Sequence, residues 1–166
     1  RDLKPHNVLI SQCGTVRLCD FGIANGTTNA GTPNYLAPEL WNGARGCVIT
    51  HTVDVYSYSL LVWEVFTNVI PFYGCDCSDV RRRVCCGERP REGEGLVPKE
   101  VGILVKRGWN EDPMRRPSFG MLEEAFEGLV ENCCCGEGYQ GDNVQSVSDL
   151  GVQGDSLDDI MNALVI

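Results

Sequence analysis

Residues 52–66 constrain the fold more than any other stretch. Val53, Val55, Leu60, Leu61, Val62, Trp63, Val65 and Phe66 place apolar side chains on nearly every face of a helix. A helix of that kind is stable only when it is buried all round. The Ser, Tyr and β-branched residues in the run could argue for a strand, but its length favours helix. A chain of 166 residues, 43% hydrophobic and 22% charged, is long and apolar enough to supply one such core. No run of about 18 apolar residues suggests a membrane span, so no membrane contact is expected in this segment.

Charge is unevenly placed. Residues 1–117 hold all 14 Lys and Arg, whereas residues 118–166 hold 10 acids and no Lys or Arg. No basic stripe stands clear of balancing acids, which speaks against nucleic-acid binding. The 10 cysteines include no Cys-x-x-Cys pair, and the chain has 2 histidines. Free thiols in a reducing compartment fit that spacing better than a structural zinc site.

Chemistry concentrates at residues 1–7. A carboxylate at Asp2, an ammonium at Lys4 and an amide at Asn7 surround Pro5, which stiffens the loop. The carboxylate can accept a hydroxyl proton, the ammonium can face a phosphate, and the amide oxygen can bind a hard cation. A plain surface loop is the alternative. Two β-prone runs follow, Val8-Leu9-Ile10 and then residues 15–19, with a turn over 11–14. The resulting hairpin is expected to bring Asn7 and Asp20 together, so that two oxygen ligands meet at one cation. Asp20-Phe21-Gly22 ends the hairpin, residues 23–31 read as a loop, and Gly31-Thr32-Pro33-Asn34-Tyr35-Leu36-Ala37-Pro38-Glu39 closes it.

Taken together, these motifs resemble those of the eukaryotic protein kinases. Residues 1–7 resemble the catalytic loop His-Arg-Asp-Leu-x-x-x-Asn with its His removed. Residues 20–22 resemble the Asp-Phe-Gly motif, and residues 31–39 the end of the activation segment. Residues 109–118 resemble Trp-x-x-Asp-Pro-x-x-Arg-Pro-Ser, and residues 52–66 the central helix of the larger lobe. The wording around Asp54 and Trp63-Glu64 is nearest the tyrosine-kinase-like group, most of which are Ser/Thr kinases. Lys4 with Thr32 points the same way, because tyrosine kinases fill the catalytic loop differently.

The resemblance implies a role for each residue. Asp2 would orient the substrate hydroxyl and take its proton, Lys4 would stabilise the transferred phosphoryl group, and Thr32 would bond both. Asn7 and Asp20 would hold the Mg2+ that accompanies ATP. Asp54 would accept backbone N–H groups near Arg1, although a carboxylate there also suits a helix N-terminus. Arg116 would pair with Glu39. Arg1 would read phosphate placed on Thr27 or Thr28 by an upstream activating kinase.

The fold expected is mainly α, a kinase-like C-terminal lobe over residues 1–132 with a small β-hairpin and the small N-terminal lobe absent. Helices are expected over 78–86, 99–109 and 118–131. The Arg81-Arg82-Arg83 run reads as a solvated face, with a docking patch as the alternative. Residues 133–166 read as an acidic, Cys/Gly-rich tail, disordered over 133–154 and ending in a short helix through Leu157, Ile160, Met161, Leu164 and Val165. The function expected is that of part of a protein Ser/Thr kinase acting on protein substrates in signalling, inactive by itself. A kinase-like scaffold without catalysis is the alternative. The expected location is the cytoplasm, or the cytoplasmic side of a membrane protein.

Overall fold

The computed structural model describes residues 1–22, 31–41, 49–91 and 93–135. Strands β1 (Val8–Ile10) and β2 (Val16–Leu18) pair antiparallel, Val8 opposite Leu18. Helices α1 (Pro38–Trp41), α2 (Thr52–Thr67), α3 (Cys77–Cys85), α4 (Lys99–Gly108) and α5 (Phe119–Cys135) make up the body. Short 3-10 turns at Pro5–Asn7, Pro33–Tyr35, Glu94–Leu96 and Pro113–Arg115 join them. The fold is mainly helical with one small hairpin, as expected, and none of the described helices is long and apolar enough to cross a membrane.

Helix α2 is the axis of the domain. Val55, Tyr56 and Leu60 have no exposed surface, and Leu61, Val62 and Trp63 are nearly as buried. Ser59 and Thr67 tolerate burial by bonding the preceding turn: Ser59 Oγ donates to Val55 O at 2.9 Å and Thr67 Oγ1 to Trp63 O at 2.9 Å. The helix stops at Thr67, ahead of Pro71. Asn68 turns left-handed at φ 52° and returns its N–H to Glu64 O, a stop that an Asn side chain tolerates.

Helix α4 lies directly on α2. A Cβ on Gly108 would fall 1.9 Å from Ser59 Oγ and 3.1 Å from Ser59 Cβ, so the two helices meet at a distance only glycine permits. Gly108→Ala should therefore lower unfolding free energy by about 1–3 kcal/mol through overpacking. Denaturant titration of the variant checks this, and a stability equal to the parent's would contradict the close approach.

The other helix boundaries also shift from expectation, most at α5. Helix α3 begins at Cys77 because Asp76 caps it, accepting the N–H groups of Ser78 and Asp79 at 2.9 Å each. Val80 and Val84 face inward, Arg81 and Arg82 are exposed as a solvated face requires, and Arg83 is instead half-buried. Helix α5 continues to Cys135 rather than stopping near 131, so the start of the stretch read as disordered is helical. No Gly or Pro interrupts residues 129–135, and the next breaker is Gly136. Leu122 and Phe126 are buried, with Phe126 edge-on to Tyr58. The C-terminal helix read over residues 157–165 lies outside the described residues.

Candidate active site

The catalytic-loop candidate is shaped by Pro5. It opens the 3-10 turn Pro5–Asn7, in which Asn7 N–H returns to Lys4 O at 3.0 Å. That turn leaves Asp2, Lys4 and Asn7 converging on one point. Lys4 Nζ donates to Asp2 Oδ2 and to Thr32 Oγ1, both at 2.7 Å. Thr32 reciprocates, giving its N–H and its hydroxyl to Asp2 Oδ1 at 2.7 Å each. Asn7 Nδ2 closes the ring on Asp2 O at 2.8 Å, with a longer 3.4 Å approach to Oδ2.

The electrostatics follow from these contacts. Burial by itself raises the Asp2 pKa, but the hydrogen bonds from Lys4 and Thr32 and the Lys4 charge outweigh it and hold the group below 3.8. Asp2 is therefore ionised at neutral pH. Gly31 makes the approach of Thr32 feasible: its φ is 131°, and a Cβ there would sit 3.0 Å from Arg1 O and 2.9 Å from Leu36 Cδ1.

The hairpin performs the juxtaposition its spacing implies. Cys19 N–H bonds Asn7 O at 2.9 Å, which sets Asp20 beside Asn7. Asp20 adopts φ 62°, and its exposed carboxylate accepts Gly22 N–H at 3.3 Å. Among the described residues, both bonds of the Asn7 side chain run through Nδ2, which leaves its amide oxygen able to accept a ligand contact. An amide oxygen and a carboxylate are donor types that a hard cation such as Mg2+ accepts, and the hairpin puts the residues that carry them at one end.

The supporting pairs also form. Asp54 stands in the first turn of α2, where a carboxylate suits the helix N-terminus, and it accepts the terminal ammonium of Arg1 at 2.7 Å. Arg116 clasps Glu39 in a fork, Nη1 to Oε1 at 2.6 Å and Nη2 to Oε2 at 2.9 Å. Thr27 and Thr28 lie outside the described residues.

The protein kinase domain model matches residues 1–127. The chain belongs to the protein kinase family. It is 37% identical over 138 residues to human "Mitogen-activated protein kinase kinase kinase 7", covering 78% of this chain and 22% of that protein. It is 36% identical over 124 residues to Aspergillus fumigatus "Serine/threonine protein kinase ypkA", covering 70% and 19%. It is 35% identical over 136 residues to Dictyostelium discoideum "Probable serine/threonine-protein kinase drkD", covering 78% and 10%. The chain thus spans less than a quarter of the length of these curated relatives. The tyrosine-kinase-like wording agrees with the first of these similarities.

One contact of this kinase lobe went unassigned in the sequence. Tyr35 Oη donates to Glu64 Oε2 at 2.5 Å, Ser57 Oγ holds Tyr35 O at 2.8 Å, and Asn34 Nδ2 donates to Pro71 O at 2.7 Å. These bonds pin the 3-10 turn Pro33–Tyr35 onto α2 and the loop after it. The signal was Glu64 itself, a lone acid late in a helix otherwise read as buried, which demands a partner. Burial raises the Glu64 pKa above 4.5, partly opposed by the Tyr35 bond and the His6 charge.

Folded protein thus binds more protons at Glu64 than unfolded protein in the window just above pH 4.5, and this group's contribution to stability falls as pH rises through its raised pKa. Tyr35→Phe removes a lowering influence and leaves the ionised carboxylate short of a donor. We expect it to cost about 1–3 kcal/mol at pH 7. The loss should shrink toward pH 4, where the carboxyl is protonated. Equilibrium unfolding at the two pH values checks this, and an equal loss at both would contradict it.

Proposed function

We propose that residues 1–132 form the larger lobe of a Ser/Thr kinase that moves the γ-phosphate of ATP to protein Ser or Thr hydroxyls. The observation that carries this reading is the closed ring of Asp2, Lys4 and Thr32, in which one carboxylate takes three donors from two distant segments. An inert loop has no need of so ordered an anion.

The acceptor capacity of Asp2 suggests how a substrate hydroxyl enters. Oδ1 is filled by the two Thr32 donors, while Oδ2 holds Lys4 and only the long contact from Asn7. An incoming hydroxyl is accommodated at Oδ2 in place of that long contact. Being a weak base, Asp2 orients the hydroxyl and takes its proton late, as the phosphoryl group transfers. Lys4, already 2.7 Å from Asp2, lies near enough to neutralise the charge on the moving group. Asn7 and Asp20 are the residues that would hold Mg2+, whose role is to screen the phosphate charge.

Asp20→Asn in the full-length kinase tests the reading. It keeps the shape of the side chain and removes the ligand charge, and we expect turnover to fall by about a hundredfold or more. Thermal stability should not change, because the carboxylate is exposed and, among the described residues, bonds only Gly22. Phosphate transfer at the parent rate would refute the Asp20 role.

A further inference from the structure

Two guanidinium groups rest on one buried ring. Arg116 Cζ lies 5.1 Å from the Tyr56 ring centroid and Arg89 Cζ 5.2 Å from it, both within cation–π range. Tyr56 has no exposed surface, and its hydroxyl has no hydrogen-bond partner among the described residues. Burial pushes the phenol up to about 12, so the ring stays neutral beside both cations. Tyr56 therefore serves by its ring and not by its hydroxyl. The two arginines also hold one stretch of backbone. Arg89 Nε donates to Trp109 O at 2.9 Å, and Arg116 donates to Asn110 O at 2.8 Å and to Glu111 O at 3.4 Å. Three successive carbonyls after α4 are thus divided between them.

From this shared platform the two side chains reach in different directions. Arg89 Nη1 bonds Glu88 O at 2.7 Å and Val84 O at 3.3 Å, near the end of α3. Arg116 reaches Glu39 on α1. From Glu39 the chain runs back through Pro38, Ala37, Leu36 and Tyr35, all buried, to Thr32, which bonds Asp2. Close-packed groups leave little room to absorb a shift of Arg116 before it reaches Thr32. We propose that Arg89 is a positioning residue for phosphoryl transfer: through the Tyr56 ring and the 109–111 backbone it fixes Arg116, which through Glu39 holds Thr32 against Asp2. This rests on the kinase reading above. Without the Arg89 guanidinium the ring loses one of its two cations and Trp109 O loses its donor. Arg116 then has more than one place to settle, and Thr32 leaves the 2.7 Å bonds that orient Asp2 for part of the time. Asn7 and Asp20 flank the hairpin, which the Arg89 bonds do not reach, so ATP binding is untouched by this route.

Arg89→Met keeps much of the bulk and removes the charge and the donors. In the full-length kinase, assayed at a temperature where circular dichroism shows the variant folded, kcat should fall about tenfold while KM for ATP stays within about twofold. Arg89→Lys restores a cation beside the ring and should recover part of the lost rate. On a Glu39→Gln background, Arg89→Met should lower kcat by less than about twofold, because the route it acts through is already cut. A readout without turnover comes from the 166-residue chain, in which the Thr32 methyl resonance should shift on Arg89→Met. Four results would each overturn the proposal: an unchanged kcat in the folded variant, a KM for ATP that rises as kcat falls, the full loss repeated on the Glu39→Gln background, or a Thr32 resonance that does not move. A full-length parent that transfers no phosphate would instead sink the kinase reading, and the Thr32 resonance would still report whether Arg89 positions that residue.

Discussion

Arg116→Met should lower the unfolding free energy of this chain by about 3–5 kcal/mol, the usual cost of stripping one partner from a buried ion pair. The Arg116 side chain has no exposed surface, and Glu39 is 14% exposed. Besides the fork to Glu39, the guanidinium bonds Asn110 O at 2.8 Å and Thr52 O at 2.9 Å, and it lies 5.1 Å from the Tyr56 ring centroid. Its loss strands a carboxylate and the carbonyls of Asn110, Thr52 and Glu111 at once, and it unfastens α1 from the start of α2 and the turn before α5. Met keeps much of the volume, so the effect reads on charge and hydrogen bonding rather than on a cavity. Glu39→Gln combined with Arg116→Met should cost less than the sum of the two single changes, because the second change removes the stranded charge. Urea titration of the three variants checks this. A loss under about 1 kcal/mol for Arg116→Met would mean the pair is better solvated than its burial indicates.

Asp2→Asn in the full-length kinase should lower turnover by about 10²–10⁴-fold, the range for removing a positioned general base. The amide keeps the shape of the carboxylate, but it cannot accept the hydroxyl proton and offers one acceptor oxygen where Lys4, Thr32 and the substrate need two. Its effect on stability carries a pH signature. The Asp2 pKa is lowered on folding, so its stabilisation is present above pH 3.8 and is lost as pH falls through the folded value. Asn should abolish that acid limb while leaving the neutral-pH fold intact. Single-turnover phosphate transfer and acid unfolding of the same protein give both readouts. Transfer at the parent rate would remove Asp2 from the mechanism.

Much of this architecture is legible in the chain because its signals are local. Pro5 dictates the stiffness of the loop, β-prone runs around a turn dictate the hairpin, and all-round apolarity in residues 52–66 dictates a buried helix. The hairpin spacing also determines that Asn7 and Asp20 share one end. The pairings of Thr32 with Asp2 and of Arg116 with Glu39 came from family resemblance, since nothing in the spacing of residues so far apart specifies a contact.

Tertiary packing decided the rest. Only the fold could show that Tyr35 and Glu64 answer each other, because a half-buried acid states its need for a donor but not which segment supplies it. The left-handed Asn68 ended α2 earlier than Pro71 required, and the Asp76 cap started α3, both choices set by backbone conformation rather than by side-chain pattern. Gly108 looks like a weak point of a helix until α2 is laid against it. A residue without a Cβ is then the one that lets two helices touch, and that distance exists only in three dimensions.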